Sequence, residues 1–273
     1  MPIRWRYANQ VALLIWLLIA ACSVFLFARS LAVRFELFQH PCGGQATCED
    51  VRMLFPEEIP SILEAGFSMR GYSAYLIGLD LLHGLTSFGI AALIYWKGNR
   101  SFFLWFASLS LMATGTVTTV GSLSAAYPSM SVPATFIVFL SSGYLVFFYL
   151  FPNGRFVPGW SIYPAALWVL FSVGRTWLKG SFLDPFTWPP LWNFGGWIAF
   201  HLAALLSQIV RYRKHSTPSE RQQTKWFLYG LSAMAAGLVL ESILENTRHF
   251  LDPGFADTAL RLAAATAAGL GAT

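Results

Sequence analysis

Two carboxyl side chains and two histidines lie inside long apolar stretches of the sequence: Asp80, His83, His201 and Glu241. Asp80 and His83 are three residues apart, which puts both on the same face of a helix. A carboxylate beside histidines can exchange protons or bind a polar ligand, and a pair of histidines can hold a haem iron. These four residues are therefore the candidates for a signal pocket or a polar network.

Three arrangements of these side chains stay open at this point. In the first, Asp80 and His83 form a structural network with hydroxyl groups, for which the candidates are Thr114, Thr116, Thr118 and Ser141. In the second, they line a pocket that opens to the outside and senses a ligand or protons. In the third, His83 and His201 bind a haem from opposite sides, for which two histidines at one membrane depth are necessary but not sufficient.

The composition decides which kind of protein positions these groups. The 273 residues are 56% hydrophobic and only 11% charged, and the mean hydropathy is +0.54. Soluble domains carry about 25% charged residues, so this chain cannot cover a globule of its size with solvated side chains. The composition excludes a soluble enzyme, a disordered chain and a coiled coil, and predicts an all-α, polytopic membrane bundle.

The apolar runs predict eight membrane spans, since one crossing takes about 20 residues. We expect an N-terminal anchor over 1–28, a loop outside the membrane over 29–71, and seven further helices over 72–273, the last of them incomplete. The predicted spans are 8–28, 72–96, 102–124, 132–151, 160–178, 191–210, 226–245 and 258 to the end. The last predicted span reaches residue 273 without a polar cytoplasmic flank after it. We therefore expect the chain to be a fragment that continues inside the cell.

Lysine and arginine counts predict the orientation, because basic residues favour cytoplasmic loops. With the N-terminus inside, one side carries ten basic residues and one acid, and the other carries seven basic residues and ten acids. The net charges are then +9 inside and −3 outside. The basic balance indicates contact with anionic lipid headgroups rather than with nucleic acid.

Two of the three cysteines, Cys42 and Cys48, lie in the predicted outer loop. An oxidising compartment favours a disulfide between them, closed through the flexible Gly43-Gly44. A redox-sensing or metal-binding pair with His40, or two free thiols, are the alternatives. Cys22 lies in the first span, where ordinary packing is expected.

In residues 55–67 of the same loop, the apolar side chains recur at helical spacing, at Ile59, Ile62, Leu63 and Phe67, and Gly66 can end the helix. We expect a short amphipathic helix on the outer surface, acting as part of a ligand-binding lid or as a connector.

No catalytic motif occurs in the chain, whether a phosphate-binding loop of the form GxxxxGK[ST], HExxH, GxSxG or CxxC. The sequence therefore leaves enzymatic activity uncertain and gives no metal or cofactor site beyond the haem alternative.

Two basic loops carry a resemblance to a known family. They read Phe151-Pro152-Asn153-Gly154-Arg155-Phe156-Val157-Pro158-Gly159-Trp160 and, over 211–226, RYRKHSTPSERQQTKW. Both resemble segments in the multi-span sensor region of ComP-like bacterial two-component histidine kinases, as does 65–75 at the entry to the second span. The matching motif residues are Pro152, Gly154, Arg155, Pro158, Glu220, Arg221, Gln222, Gln223 and Lys225; Asn153 and Gly159 replace the usual Asp and Arg.

The resemblance implies a multi-pass protein of the bacterial cell membrane that passes an outside or membrane signal to a C-terminal kinase. That kinase is absent from these 273 residues. It implies a homodimer in the lipid bilayer, an unknown signal ligand, a cytoplasmic response regulator, and ATP with Mg only for the missing domain. The alternatives are a small-molecule transporter or haem-binding membrane protein using Asp80, His83 and His201, and a stand-alone structural membrane protein.

Each basic loop also has local chemistry. Pro152-Asn153-Gly154 is typical of a turn, and we expect Arg155 to pair with headgroups or an acid. In the second loop, Ser219 is expected to cap the following helix, with Gln222 at the capping-box position.

The predicted topology can be checked with reporter fusions. Fusions after Lys97, Gly159 and Ser219 should report the cytoplasm, because the basic loops stay inside, and fusions after Gly44, Tyr127, Gly180 and Asp252 should report the outside. The reverse result at two or more sites would contradict the assignment.

Overall fold

A computed structural model describes residues 3–42, 52–64, 66–97, 101–230 and 232 of the chain. Every regular element within these residues is helical. Cys48, Glu241, the eighth predicted span and most of the seventh lie outside the described residues, so the predictions made for them stay predictions.

Eight α-helices follow one another along the chain: α1 Ile3–Leu37, α2 Ile59–Glu64, α3 Met69–Lys97, α4 Phe102–Ala126, α5 Ser131–Ser141, α6 Gly143–Leu150, α7 Ile162–Trp177 and α8 Pro190–Lys214. Short 3-10 turns precede four of them, at Pro56–Glu58, Pro128–Met130, Gly159–Ser161 and Pro185–Thr187. Residues 218–230 are also helical. Proline is absent from α1, α3 and α4, the three longest uninterrupted apolar helices.

Four helical segments are long and apolar enough to cross a membrane: Gln10–Leu37, Met69–Lys97, Phe102–Ala126 and Pro128–Leu150. They coincide with the first four predicted spans, and the last of them comprises a 3-10 turn, α5 and α6. The fifth and sixth predicted spans are helices too, but α7 has only 16 residues and α8 ends in Arg211, Arg213 and Lys214. The all-helical fold is therefore confirmed for the described residues, and four of its helical segments have the length and composition of membrane spans.

The first helix runs further than expected. The sequence places its end at residue 28 and assigns Arg29 and Arg34 to a loop, whereas α1 continues to Leu37. Phe27, Ser30 and Arg34 follow one another at helical spacing and are all buried. The helix continues because the buried guanidinium of Arg34 has a carboxylate partner, described below.

The chain divides into two compact units. The first takes its described residues from Met1–Ser23, Phe88–Val117 and Val132–Leu228, and the second from Val24–Ser87, Thr118–Ser131 and the start of Tyr229–Thr273. The first unit has one core around Tyr149 and Trp168 and another around Trp16 and Met112. The core of the second unit is built from Phe38, Cys42, Met53, Leu54, Ile62, Tyr72, Leu76 and Leu79.

The predicted loop helix exists as α2, preceded by the turn Pro56–Glu58. Its Ile62 is fully buried in the second unit's core. Gly66 adopts φ +84 directly after the helix, as expected for a glycine that ends it. The segment is therefore packed against the ends of α1 and α3 through its apolar face.

A glycine lets one segment of the first unit approach a helix closely. Gly174 of α7 faces the backbone carbonyl of Leu183, and a Cβ built on the glycine would overlap the carbonyl oxygen and lie 3.2 Å from its carbon. Backbone cannot rotate away as a side chain can. Glycine is therefore required at this position by the close approach.

Gly174→Ala should destabilise the protein by about 1–3 kcal/mol, the usual cost of overpacking. Gly195→Ala in α8 is the matched control, because a Cβ there meets nothing within 4 Å. Alanine in a helix interior is favoured over glycine by up to about 1 kcal/mol, so the control should be neutral or stabilising. Thermal unfolding in detergent micelles measures the stability of both variants. Equal unfolding midpoints would contradict the conclusion that position 174 requires glycine.

Candidate functional site

Asp80 of α3 lies between two arginines of the second unit. Its Oδ2 is 3.0 Å from Nε of Arg34, and its Oδ1 is 3.1 Å from Nη1 of Arg52. Asp80 and Arg34 are 3% and 1% exposed, so this ion pair is shielded from solvent. Loss of one partner from a buried pair costs about 3–5 kcal/mol, because the other charge is left buried.

Arg34 also holds α4. Its Nη1 donates to the backbone carbonyl of Thr118 at 3.2 Å and to Oγ of Ser122 at 3.1 Å. One helical turn before Arg34, the hydroxyl of Ser30 donates to Oγ1 of Thr119 at 2.7 Å. The single guanidinium therefore connects segments of three helices, α1, α3 and α4.

Arg52 reaches Asp80 from the loop that joins α1 to α3. The Tyr72 hydroxyl donates to the Arg52 carbonyl at 2.9 Å, and the Cys42 amide donates to the Leu54 carbonyl at 2.7 Å. The Phe38 ring lies under both guanidiniums, 4.9 Å from Arg34 and 5.6 Å from Arg52. The side chain of Arg52 is 21% exposed. The Arg52–Asp80 bond is therefore the partly solvated edge of an otherwise buried cluster.

Cys42 is buried in the same core and is disulfide-bonded. Cys48 lies outside the described residues, and its pairing with Cys42 stays a prediction. Cys22 is a free cysteine of α1.

The network around Asp80 differs from the one expected with hydroxyl partners. Thr114, Thr116 and Ser141 donate to backbone carbonyls, those of Ser110, Ser23 and Val138. The partners of Asp80 are charged because a buried carboxylate is stabilised more by a guanidinium than by a neutral hydroxyl. His83, one turn further along α3, is 3% exposed.

Sequence reasoning missed Arg34 and Arg52, since both were counted as charges of the outer loop. A signal for Arg34 does exist in the sequence. It continues the line of Phe27 and Ser30 along one helix face, and an intramembrane carboxylate such as Asp80 needs a cation. Arg52 gives no comparable signal, because a loop residue has no fixed periodicity.

His201 lies in the first unit, within an aromatic cluster of Tyr144, Trp168 and Trp197. Its Nε2 is 2.7 Å from the Tyr144 hydroxyl, and its Nδ1 is 2.8 Å from the Trp197 carbonyl. The carbonyl can only accept, so Nδ1 carries the proton and Nε2 accepts from the tyrosine. Ligation of haem iron by His201 would require one of these bonds to break.

Within the part of the chain that the structure describes, no group of three His, Cys, Asp or Glu side chains is arranged to hold a metal ion.

The two loops that carry the family resemblance meet in the first unit. Arg211 of α8 donates from Nη1 to the Arg155 carbonyl at 3.0 Å and from Nη2 to Oδ1 of Asn153. The Asn153 amide nitrogen donates in turn to Oε1 of Glu220 at 2.9 Å. Asn153 therefore bridges a cation and an anion, with one end of its amide facing each.

Gln208 of α8 fixes the same loop from inside. Its Nε2 donates to the carbonyls of Phe148 and Phe151 at 2.5 and 3.1 Å, at the end of α6. These carbonyls lack partners within α6 because a helix leaves its last carbonyls unsatisfied. Gly154 adopts φ +73 in the loop and packs over Phe103.

The capping of the helix at 218–230 corrects the sequence prediction. Thr217 is the cap instead of Ser219, since the Thr217 amide donates to Glu220 Oε2 at 2.9 Å and the Glu220 amide donates to Thr217 Oγ1 at 3.4 Å. The box is thus Thr217–Glu220 and not Ser219–Gln222. Pro218 explains the shift, because proline favours the first helical position.

Glu220 is stabilised in its charged form. The Thr217 amide, followed by the Asn153 side chain, lowers the pKa of its carboxyl below the ordinary value. The resulting stabilisation is complete above the ordinary pKa of glutamate and is lost as the pH falls through the lowered one. The other motif side chains of this helix, Arg221, Gln222, Gln223 and Lys225, are exposed.

Comparison of the chain with protein-family models, with curated proteins and with solved structures finds no match.

The bridging role of Asn153 predicts a coupling with Glu220. In Asn153→Asp, the new carboxylate keeps its bond to Arg211 but faces Glu220 with like charge. Glu220→Gln should stabilise this variant by about 1 kcal/mol, since glutamine can donate to Asp, and should slightly destabilise the original chain.

A double-mutant cycle on thermal unfolding at neutral pH measures the coupling. Ser219→Ala serves as the control, because this exposed residue does not cap the helix. Equal effects of Glu220→Gln in both backgrounds would contradict the bridge.

Proposed function

We propose that the chain is the multi-span membrane sensor region of a bacterial two-component histidine kinase. The observation that carries the proposal is the bond between Arg52, on the loop joining α1 to α3, and the buried carboxylate of Asp80. A loop residue that reaches into a buried ionic cluster links the loop's position to helix packing. A sensor of outside or membrane signals needs such a link.

The two arginines of the cluster have different roles in this proposal. Arg34 is 1% exposed and bonds α4 as well, so it holds the helices together in every state. Arg52 is partly solvated, and water can replace its bond to Asp80 at small cost. A ligand or lipid that moves the loop removes this bond and shifts the protein between two helix packings.

The membrane topology of the proposal has eight spans and a cytoplasmic N-terminus. Four helices long and apolar enough to cross a bilayer support it, together with the +9 and −3 charge balance of the two sides. The loop that carries Arg52 then lies outside the cell, where a signal arrives. The loops around Asn153 and Glu220 then lie inside, where the output begins.

The output side supports the same function. Arg211, Asn153 and Glu220 connect the loop after α6 to the first turn of the helix at 218–230. Hydrogen-bonded loops of this kind transmit motion better than flexible ones. The partners in this proposal are a second copy of the chain, a following kinase domain with ATP and Mg, and a response regulator.

The test compares Arg52→Gln with Arg29→Gln in the complete natural reading frame, expressed in bacterial membranes. Arg52→Gln removes the loop's bond to Asp80 while Arg34 still neutralises the carboxylate, so the fold is retained. Arg29→Gln is the matched control, since its exposed guanidinium lies over the Tyr127 ring.

We expect Arg52→Gln to change basal autophosphorylation or the dose–response by about fivefold or more. This factor corresponds to a shift of about 1 kcal/mol or more in the equilibrium between the two helix packings. The control should leave both unchanged. Equal behaviour of the two variants would overturn the sensing role of the cluster. A reading frame without a histidine-bearing dimerisation helix and an ATP site would overturn the kinase assignment, and Asp80-dependent solute uptake would favour a transporter.

A further inference from the structure

The segment between α7 and α8, residues 178–189, displays large apolar side chains on a fixed backbone. Phe182 is 83% exposed, Phe186 61% and Leu183 46%. The flanking Trp177 and Trp192 are exposed as well. In water, such a display of contiguous apolar surface is unfavourable.

Much of the backbone of this segment is hydrogen-bonded within the segment. The Asp184 carboxylate accepts from the amides of Gly180 and Phe186 at 2.8 and 3.0 Å. The amides of Ser181, Asp184, Thr187 and Trp188 donate to carbonyls of the same segment. The indole of Trp188 donates to the Phe182 carbonyl at 2.7 Å.

A loop in water does not need this arrangement, because water bonds exposed amides and carbonyls. A loop at the edge of a bilayer does, since unsatisfied backbone groups are costly away from water. The segment therefore combines an apolar outer surface with a backbone that is largely hydrogen-bonded within the segment, an arrangement that a water-poor environment favours.

The charges of the segment fit a lipid surface. Arg175, at the end of α7, lies with its guanidinium 5.0 Å from the Phe186 ring, and Lys179 follows on the exposed side. The segment's one acid, Asp184, is 4% exposed and faces the backbone. The outward-facing charges are thus cationic, and they lie beside the aromatic surface. In a bilayer the anionic phosphates lie beside the acyl chains in the same way, so the two surfaces match.

We infer that residues 178–189 form a membrane-inserted interfacial loop. Phe182, Leu183 and Phe186 enter the boundary between headgroups and acyl chains, and Arg175 and Lys179 contact lipid phosphates. Gly174 contributes to this arrangement, because the absence of a side chain there lets the Leu183 carbonyl of the loop pack against α7. This inference depends on the membrane character of the chain and is independent of the sensor function proposed above.

Spin labels measure the depth of the loop. The full chain with Cys22→Ala is labelled at Phe182→Cys or at Leu183→Cys under non-reducing conditions, and reconstituted into phosphatidylcholine nanodiscs with and without phosphatidylglycerol. Glu57→Cys, on the exposed turn before α2, is the matched control in water. Both test positions are surface-exposed, so the substitutions preserve the fold, and circular dichroism checks it.

Collisions with oxygen should exceed those with a water-soluble nickel chelate at positions 182 and 183, and the reverse should hold at 57. Phosphatidylglycerol should increase the difference, and Lys179→Gln should reduce that increase. Collision ratios at 182 and 183 equal to the ratio at 57 would overturn insertion. Spin–spin broadening that disappears on dilution with unlabelled chain would overturn it too, because it would mean that a second copy covers the loop.

Discussion

The buried ion pair of Asp80 and Arg34 is the constraint on which the second unit depends. A carboxylate within an apolar helix is tolerated only with a partner, and a guanidinium on a neighbouring helix needs one equally. Each group therefore makes the other possible. Arg34 then donates from Nη1 to two groups of α4, so that one buried charge holds segments of α1, α3 and α4 together. The close contact of Gly84 with the Phe27 ring, about one turn from Asp80 and two turns from Arg34, follows from the same approach of α1 and α3.

The sequence predicted the features that are determined locally and missed those that depend on distant partners. Hydropathy over about 20 residues is a local property, so the first four spans were found at nearly their observed positions. The end of α1 was not predicted correctly. The helix continues through Arg34 because Asp80, 46 positions away, provides a carboxylate for its guanidinium, and local sequence does not reveal such a distant partner. The predicted capping box was wrong for a local reason: Ser219 and Thr217 are both capping residues, and Pro218, which favours the first helical position, decides for Thr217.

The loops around Asn153 and Arg211, whose sequences carry the resemblance, contact each other within the first unit. They are separated by 58 positions, yet their polar side chains satisfy one another. The Asn153 amide is a group that can accept from Arg211 while it donates to Glu220. A carboxylate at position 153 would meet Glu220 with like charge.

The cluster around Asp80 in the second unit and the cluster around Glu220 in the first differ in the free energy that their loss would cost. A shielded pair such as Asp80–Arg34 has no low-energy alternative, because water cannot replace either partner. The bonds of Arg52 and of Glu220 lie where water competes, so breaking them changes the free energy by amounts that a bound ligand can supply. The shielded pair therefore fixes the packing of α1, α3 and α4 within the second unit, whereas the bonds of Arg52 and of Glu220 can exchange with water.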